Sequence, residues 1–460
     1  RIIGNRGNTA RKVQAVASGA LASGDTVIVN SNGTVSVVAE TSISQAVGSE
    51  VVFNSGNPTD NTWAAYDANS NKVVVVFVDS PDSAKGKAVV GTVSGNSISF
   101  GATATWHANS TNFVDIVYHA AAQKVVIVYY DGDNSGYGTS VVGTVSGTTI
   151  SFGSTVIFNS AFTGTSHLAY DSSAEKVVVA YRTTSDVGKA QVGTVSGTNI
   201  SWGTAANYNA GATGAAISCA YDINANKTVV AYQDNANSSY GSAAVGTISG
   251  TDISFGSEVV FEAATTTNIG MDYDPSSQKV VISYRDHGNS NYGTAIVGSV
   301  SGTSISFGSA SVFNTANTTQ IAVDRNTVAG LVNILYRDEG NSGITTFSTA
   351  TVSGTSLTFS SKTAISTGAS YYNDMTFDST ANKMIAVYRD IGNSNYGTSV
   401  VFQNAYAATN LTAENFIGIA SNGYATGQAA TINAKGFIDD NQSSLTAGQS
   451  YYVQTNGDLG

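Results

Sequence analysis

The chain has 460 residues, 48 of them glycine, with a net charge of −11 and only 11% charged residues. That balance argues against a nucleic-acid binder working through phosphate contacts, since basic residues cluster only at Arg1, Arg6, Arg11 and Lys12. The lone cysteine, Cys219, excludes an intrachain disulfide, and no apolar stretch is long enough to span a membrane as a helix.

Residues 1–12 are polar and basic without periodicity and are expected to form a flexible or partner-held tail. Residues 13–40 read as short strands, KVQAVAS, DTVIVN and TVSVVAE, the last two joined by a turn at Ser31, Asn32 and Gly33. Residues 41–53, TSISQAVGSEVVF, match TDISFGSEVVF at 251–261 and are the second half of a repeat. From there to residue 404 the chain repeats every 50 to 53 residues, counted on Gly95, Gly147, Gly197, Gly250, Gly302 and Gly354 of the VSG turns. An aromatic before a second turn recurs at Tyr66, Tyr118, Tyr170, Tyr221, Tyr273 and Phe377, with Val323 taking that place once. Residues 405–460 add further strand-like segments, FIGIAS, GQAATINAKGFI and QSYYVQTNGDL.

Each repeat holds four strands; in the fifth they are 268–274, 279–286, 293–301 and 304–313. The second strand is almost wholly apolar, as suits a strand buried on both faces of a sheet. Four short antiparallel strands per repeat of this length point to a β-propeller blade. The expected fold is therefore all-β: a seven-bladed β-propeller over 41–404, closed by an N-terminal strand, because 41–53 supplies what the last repeat lacks. Segments 13–40 and 405–460 are each too short for a core and are expected to fold together as a small split β anchor domain. The meander puts the loops after the second and fourth strands on one face. The chain enters and leaves on the other face, where the anchor domain is expected. The former loops are longer and vary, which is how binding surfaces are presented.

The loop after the second strand reads R-D-x-G-N-S-x-Y-G. Its candidate ligand residues are Asp131, Asn134 and Tyr137; Asp234, Asn237 and Tyr240; Asp286, Asn289 and Tyr292; and Asp390, Asn393 and Tyr396. Asp at a loop start also caps backbone N–H groups, and Asn and Gly accept left-handed backbone, so a motif common to all blades can be pure architecture. The alternative is polyvalent glycan binding, with Asn and Asp bonding hydroxyls and Tyr stacking on a sugar face. One Asp per loop is too few oxygens for calcium, and the four histidines show no zinc-ligand spacing, so neither metal nor cofactor is expected. There is no nucleophile elbow or catalytic set, and no enzyme activity is expected. Asp115, Asp272 and Asp374, in first strands, are the only acids placed to reach a central channel. Cys219 in AISCAYD reads as a small buried hydrophobe, and Tyr371 and Tyr372 fall in a variable loop.

The repeats YDxxxxKVVVxYRDxGNSxYGTxVVGTVSGTxISFGS resemble those of tail-fibre and other virion surface proteins of marine bacteriophages. The flanks, SGDTVIVNSNGTVSVV at 23–38 with 415–437 and 444–459, resemble a phage structural module. The resemblance implies a virion structural protein, a tail fibre or decoration at the virion surface. It would be anchored to other virion proteins and further copies of itself through the split domain, and would display the propeller toward a host cell-surface glycan. No catalytic residue is implied. Blade three, with RTTSDVGK, and blade six, with GNSGITTFSTA, depart from the pattern. A secreted bacterial surface propeller, a glycan-processing enzyme and a ligand-free spacer are the competing readings.

Overall fold

The computed structural model describes residues 11–412, 414–435 and 452–459. Most of the expected basic tail, and the expected strand residues within 436–451, lie outside the described residues. The chain divides into two compact domains, Arg1–Gln45 with Ala405–Gly460, and Ala46–Asn404.

The first domain interleaves the two chain ends in one sheet. Its strand order is Arg11–Val16, Ala429–Lys435, Phe416–Ala420, Thr26–Val29, Val35–Val37. Alternation in DTVIVN turns Val27 inward, where it joins Ala17, Leu21, Val35, Ala420, Ala430 and Ile432 in a single small core. The Asn-Gly turn forms with Gly33 at φ 80° and the Asn32 carboxamide accepting from the Thr34 N–H. Glu40–Ile43 pairs with Tyr406–Thr409. Residues 41–45, expected in the repeats, therefore belong to this domain.

The second domain is a run of four-stranded antiparallel units, seven of them among the described residues. In unit five the second strand, Lys279–Asp286, lies between the first and third, and Val280, Val281, Ile282 and Tyr284 are wholly buried. The apolar clusters lie between units: Ala220, Val229 and Ala231 of unit four pack on Met271, Tyr273 and Ile282 of unit five. Burying a large side chain such as Val229, Met271 or Ile282 contributes about 1.5–3 kcal/mol, which is why the second strands tolerate so little polarity.

The fourth strand differs from expectation. It breaks into a short hairpin partner, Ser304–Phe307, and a second segment that runs without interruption into the next unit as one strand, Ser311–Asn326. The stretches FNSAFTGTS and FEAATTTN, expected as loops, are thus mostly strand. A register shift at the crossing hid this by breaking the alternation; Asn268, Gln320 and Tyr372 take left-handed backbone there, as Asn61 and Phe113 do in the first strands of units one and two, which start separately.

Two glycine columns fix how close elements come. A Cβ on the glycine opening each third strand would strike an aromatic ring of the fourth, as Gly293 would strike Phe313 at 2.5 Å. In unit six the glycine is Thr345 and the aromatic is Ile365, so the pair changes together. A Cβ on Gly101, Gly153, Gly203, Gly256 or Gly308 would lie 1.9–2.2 Å from a turn carbonyl of the following unit. Unit six has Ser360 in that column. Unit seven, which follows it, has no such turn, because its third strand, Tyr396–Gln403, pairs instead with Ala46–Val47 and Val51–Asn54. Gly48 of unit seven meets the Asn96 carbonyl of unit one in the same way.

Candidate functional site

In units two, four, five, six and seven the turn after the second strand is a single 3-10 turn followed by two left-handed residues. In unit five Asp286 precedes it and accepts from the Asn289 N–H at 3.1 Å; Ser290 and Asn291 then sit at φ 54° and 63°. Asp234, Asp338 and Asp390 cap their turns likewise, and Asp131 does not. The predicted acids Asp131, Asp234, Asp286 and Asp390 are buried. The four predicted tyrosines, Tyr137, Tyr240, Tyr292 and Tyr396, are half-buried and sit opposite those acids in the strand ladder. Asn134 and Asn237 are half-buried, and Asn289 and Asn393 are exposed. Asp, Ser and Gly in this motif therefore build the turn, and the asparagines are its presented part.

Beside each turn runs the outer strand of the preceding unit, and the space between them is where the units differ. Between units three and four it is an open groove of about 540 Å³. Asn207, Tyr208 and Asn209 line one side, Asp234 and Asn237 the other, and Phe255 and Glu258 the end. The Asn209 carboxamide donates to Asp234 at 3.2 Å, and the Tyr232 hydroxyl donates to Glu258 at 2.6 Å. Tyr208 packs on Phe255 with ring centres 6.0 Å apart. Acceptors, donors and an aromatic surface thus face one solvent-open space. At two other junctions groups of the chain reach into the equivalent positions. Between units five and six the Lys362 ammonium reaches Asp338 at 2.7 Å and Asn314 at 3.1 Å. Between units six and seven, Glu50 accepts from the Thr367 backbone at 2.8 Å and from the Tyr388 hydroxyl at 2.9 Å.

Of the predicted residues the open groove gathers only Asp234 and Asn237; Tyr240 does not line it. Asn207, Asn209 and Glu258 were missed. A signal existed: the residue after the outer-strand aromatic is Asn at Asn54, Asn159, Asn209 and Asn314, and two places past the column of Gly48, Gly256 and Ser360 the residue is charged, as Glu50, Glu258 and Lys362.

The first strands surround a channel whose wider cavity, about 570 Å³, is lined by all seven of them. Strand register places Trp63, Asp115, His167, Ser218, Gly270, Ala322 and Asp374 at one level. Asp115 accepts from Ile116 N–H at 2.7 Å and from Leu168 N–H of the next unit at 2.6 Å. Asp374 accepts from Ala64 N–H at 2.8 Å, joining unit seven to unit one. Burial pushes both carboxyls up to about 8 and the neighbouring His167 imidazole down to about 4. The His167 Nδ1 is 3.6 Å from Asp115. One level further, Asp272 holds the Arg325 guanidinium at 2.6 and 2.7 Å. Register also corrects the repeat alignment. Arg325, not Val323, occupies the column of Tyr66, Tyr118, Tyr170, Tyr221, Tyr273 and Phe377, its charge matched by Asp272 of the preceding unit. Cys219 is buried, with its Sγ 3.3 Å from the His167 carbonyl. The channel acids are bound to backbone and guanidinium, an arrangement that straps units together.

Tyr371 and Tyr372 lie in strand rather than loop, and the Arg337 guanidinium stands 4.4 Å over the Tyr371 ring.

No family model matches the chain, and no curated protein matches it. Among solved structures, BP39L lectin from Burkholderia pseudomallei is similar, with a TM-score of 0.59 at 10% identity over 76% of this chain and 99% of that one. A triple mutant of AofleA from Arthrobotrys oligospora aligns with a TM-score of 0.45 at 12% identity, over 74% of this chain and 93% of that one. The all-β, propeller-type fold is shared with the Burkholderia protein.

Proposed function

We propose that the repeat domain is a seven-bladed propeller, closed by residues 46–54, that binds carbohydrate in the grooves between blades. We further propose that the chain displays it at the surface of a bacteriophage particle. The observation that carries the binding reading is the open groove between units three and four. It combines the Asn207 and Asn237 side chains, the carboxylates of Asp234 and Glu258, and the Phe255 ring around one space. Sugars are bound by such a mixture, with polar groups fixing the hydroxyls and an aromatic ring covering an apolar sugar face. The fold shared with a protein named a lectin is consistent with this. The virion reading rests on the resemblance of the repeats and flanks to phage surface proteins. In it the split domain attaches the chain to other virion proteins and to further copies, and several copies together raise weak single-site affinities through effective concentration.

The test is a glycan array probed with the full chain, followed by calorimetry on the retained sugar. Glu258→Ala and Asn207→Ala are each expected to weaken binding at least about tenfold, the loss of one or two charge-assisted or neutral hydrogen bonds. No retained glycan, or native affinity kept by both variants, would reject the groove. Antibody labelling of purified phage particles with an antibody to the repeat domain tests the location separately.

A further inference from the structure

The junction of units one and two departs from the others at two positions that lie side by side, one on the outer strand of unit one and one in the turn of unit two. The residue facing glycine at the start of the third strand is Asn159, Asn209 and Asn314 in three ladders, and His107 in the ladder with Gly86. Asn209 and Asn314 donate to the turn acid of the following unit; His107 faces the equivalent acid, Asp131. Two residues past that acid the other turns carry Ala236, Gly288, Gly340 and Gly392, and this one carries Asp133. The His107 Nε2 lies 3.3 Å from Asp131 Oδ1 and 3.8 Å from Asp133 Oδ2. One donor atom from each of the three side chains falls within 4.8 Å of the others.

Asp131 shows independently that this set is not an ordinary turn. Its counterparts Asp234, Asp286, Asp338 and Asp390 accept a backbone N–H of the turn, and Asp131 accepts none. It is only 9% exposed, and its Oδ1 and the His107 Nε2 are both buried without a hydrogen-bond partner. A carboxylate freed from capping and buried beside an imidazole nitrogen needs a compensating positive charge. On the far side of the ring, the His107 Nδ1 is 3.3 Å from the Tyr129 hydroxyl. That oxygen can accept the Nδ1 proton, leaving the Nε2 lone pair toward the carboxylates, as metal-bound histidines are commonly oriented.

We infer that His107, Asp131 and Asp133 form a binding site for a first-row divalent transition-metal ion of the zinc class. One neutral imidazole and two carboxylates supply the nitrogen–oxygen donor set such ions take and match their charge. Two ligands each about 2.0–2.1 Å from a tetrahedral zinc ion are about 3.3 Å apart, which is the spacing of His107 and Asp131. Three protein ligands leave a fourth position for water or a ligand oxygen. The ion joins outer strand to turn where an asparagine does so elsewhere. The site stands whether or not the grooves take sugars.

The test is calorimetric titration of Zn²⁺ into the full, untagged, chelator-stripped chain, with Co²⁺ visible absorption as a second readout. His107→Asn and Asp133→Gly restore residues used at the same positions in other units, so both variants are expected to fold. The native chain is expected to bind one zinc ion at this site and to show cobalt absorption bands of low-symmetry coordination. Each variant is expected to weaken zinc binding at least about tenfold and to lose the bands. Three outcomes would overturn the site: no zinc binding by the native chain, native zinc affinity retained in either variant, or Ca²⁺ binding that competes with zinc and is unchanged in His107→Asn.

Discussion

The repeat domain keeps its aspartates in two places, and they do opposite things. At the turns they face solvent-linked grooves, and what they meet changes from unit to unit: Asn209, Lys362 with Asn314, or His107. In the channel, Asp115 and Asp374 meet backbone N–H groups of the neighbouring unit, and burial holds them in the neutral form into the mildly alkaline range. The same residue type is a variable surface element in one place and a fixed strap in the other. The difference comes from how much water reaches the carboxyl, and from whether its partner is a side chain, which can be exchanged, or a backbone, which cannot.

Removing a strap is expected to have the largest effect. Asp115→Ala leaves the Ile116 and Leu168 N–H groups unpaired inside the channel wall and should cost about 3 kcal/mol in chemical denaturation, near the upper range for buried orphans. The same acids set a pH dependence. Their pKa of about 8 in the folded chain lies above the unfolded value of about 3.9, so the folded chain binds more protons between those limits. Their contribution is full below pH ~4 and is lost as pH rises toward ~8. His167, lowered to about 4 from about 6.5, acts the other way, and its contribution is complete above pH ~6.5. Above that point the raised acids lose protons on unfolding, so Tm is expected to fall between pH 6.5 and 8.5, and Asp115→Asn with Asp374→Asn should lessen the fall.

Next is Asp338→Ala, at the turn whose acid is fully buried. It removes the partner of the half-exposed Lys362 and of Asn314 and should cost about 2 kcal/mol by denaturant titration. If it cost as much as Asp115→Ala, the distinction between strap and exchangeable partner would fail. Asp286→Ala removes only a turn cap and should cost about 1 kcal/mol. Glu258→Ala, at the exposed end of the open groove, removes the acceptor of the Tyr232 hydroxyl and should cost no more than about 1 kcal/mol while weakening sugar binding. A large stability loss there would make Glu258 architecture and remove the basis for treating the groove as a binding site.

The four-strand meander and the buried second strands were legible because period and apolar runs are local properties: KVVISYRD announces itself without knowledge of its neighbours. The half-copy near residue 50 was legible for the same reason. The grooves were not, because each is made by two units, and the Asn column on the outer strand acquires meaning only beside the Asp of the next turn. His107 and Asp131 are far apart along the chain, so no short-range spacing could pair them. The strand crossing between later units was concealed by the left-handed residues at Asn268, Gln320 and Tyr372, which break alternation without breaking the strand. Arg325 was displaced by two positions because an aligned Val323 is the more conventional neighbour for a tyrosine column.

The seventh unit pairs Asn54 with Gly397, partners that are synthesised at opposite ends of the repeat domain. At about 5–20 residues per second, roughly 20 to 70 s of translation separate them. For that interval Val51–Asn54 is an unpaired strand on a growing chain, while complete units can form behind it. Its polar flanks, Asn54 to Asn57 and Glu50, are the kind of gatekeepers that keep a waiting edge from pairing with another nascent chain. The order of synthesis thus makes this short segment both the oldest part of the domain and the last to be locked in place.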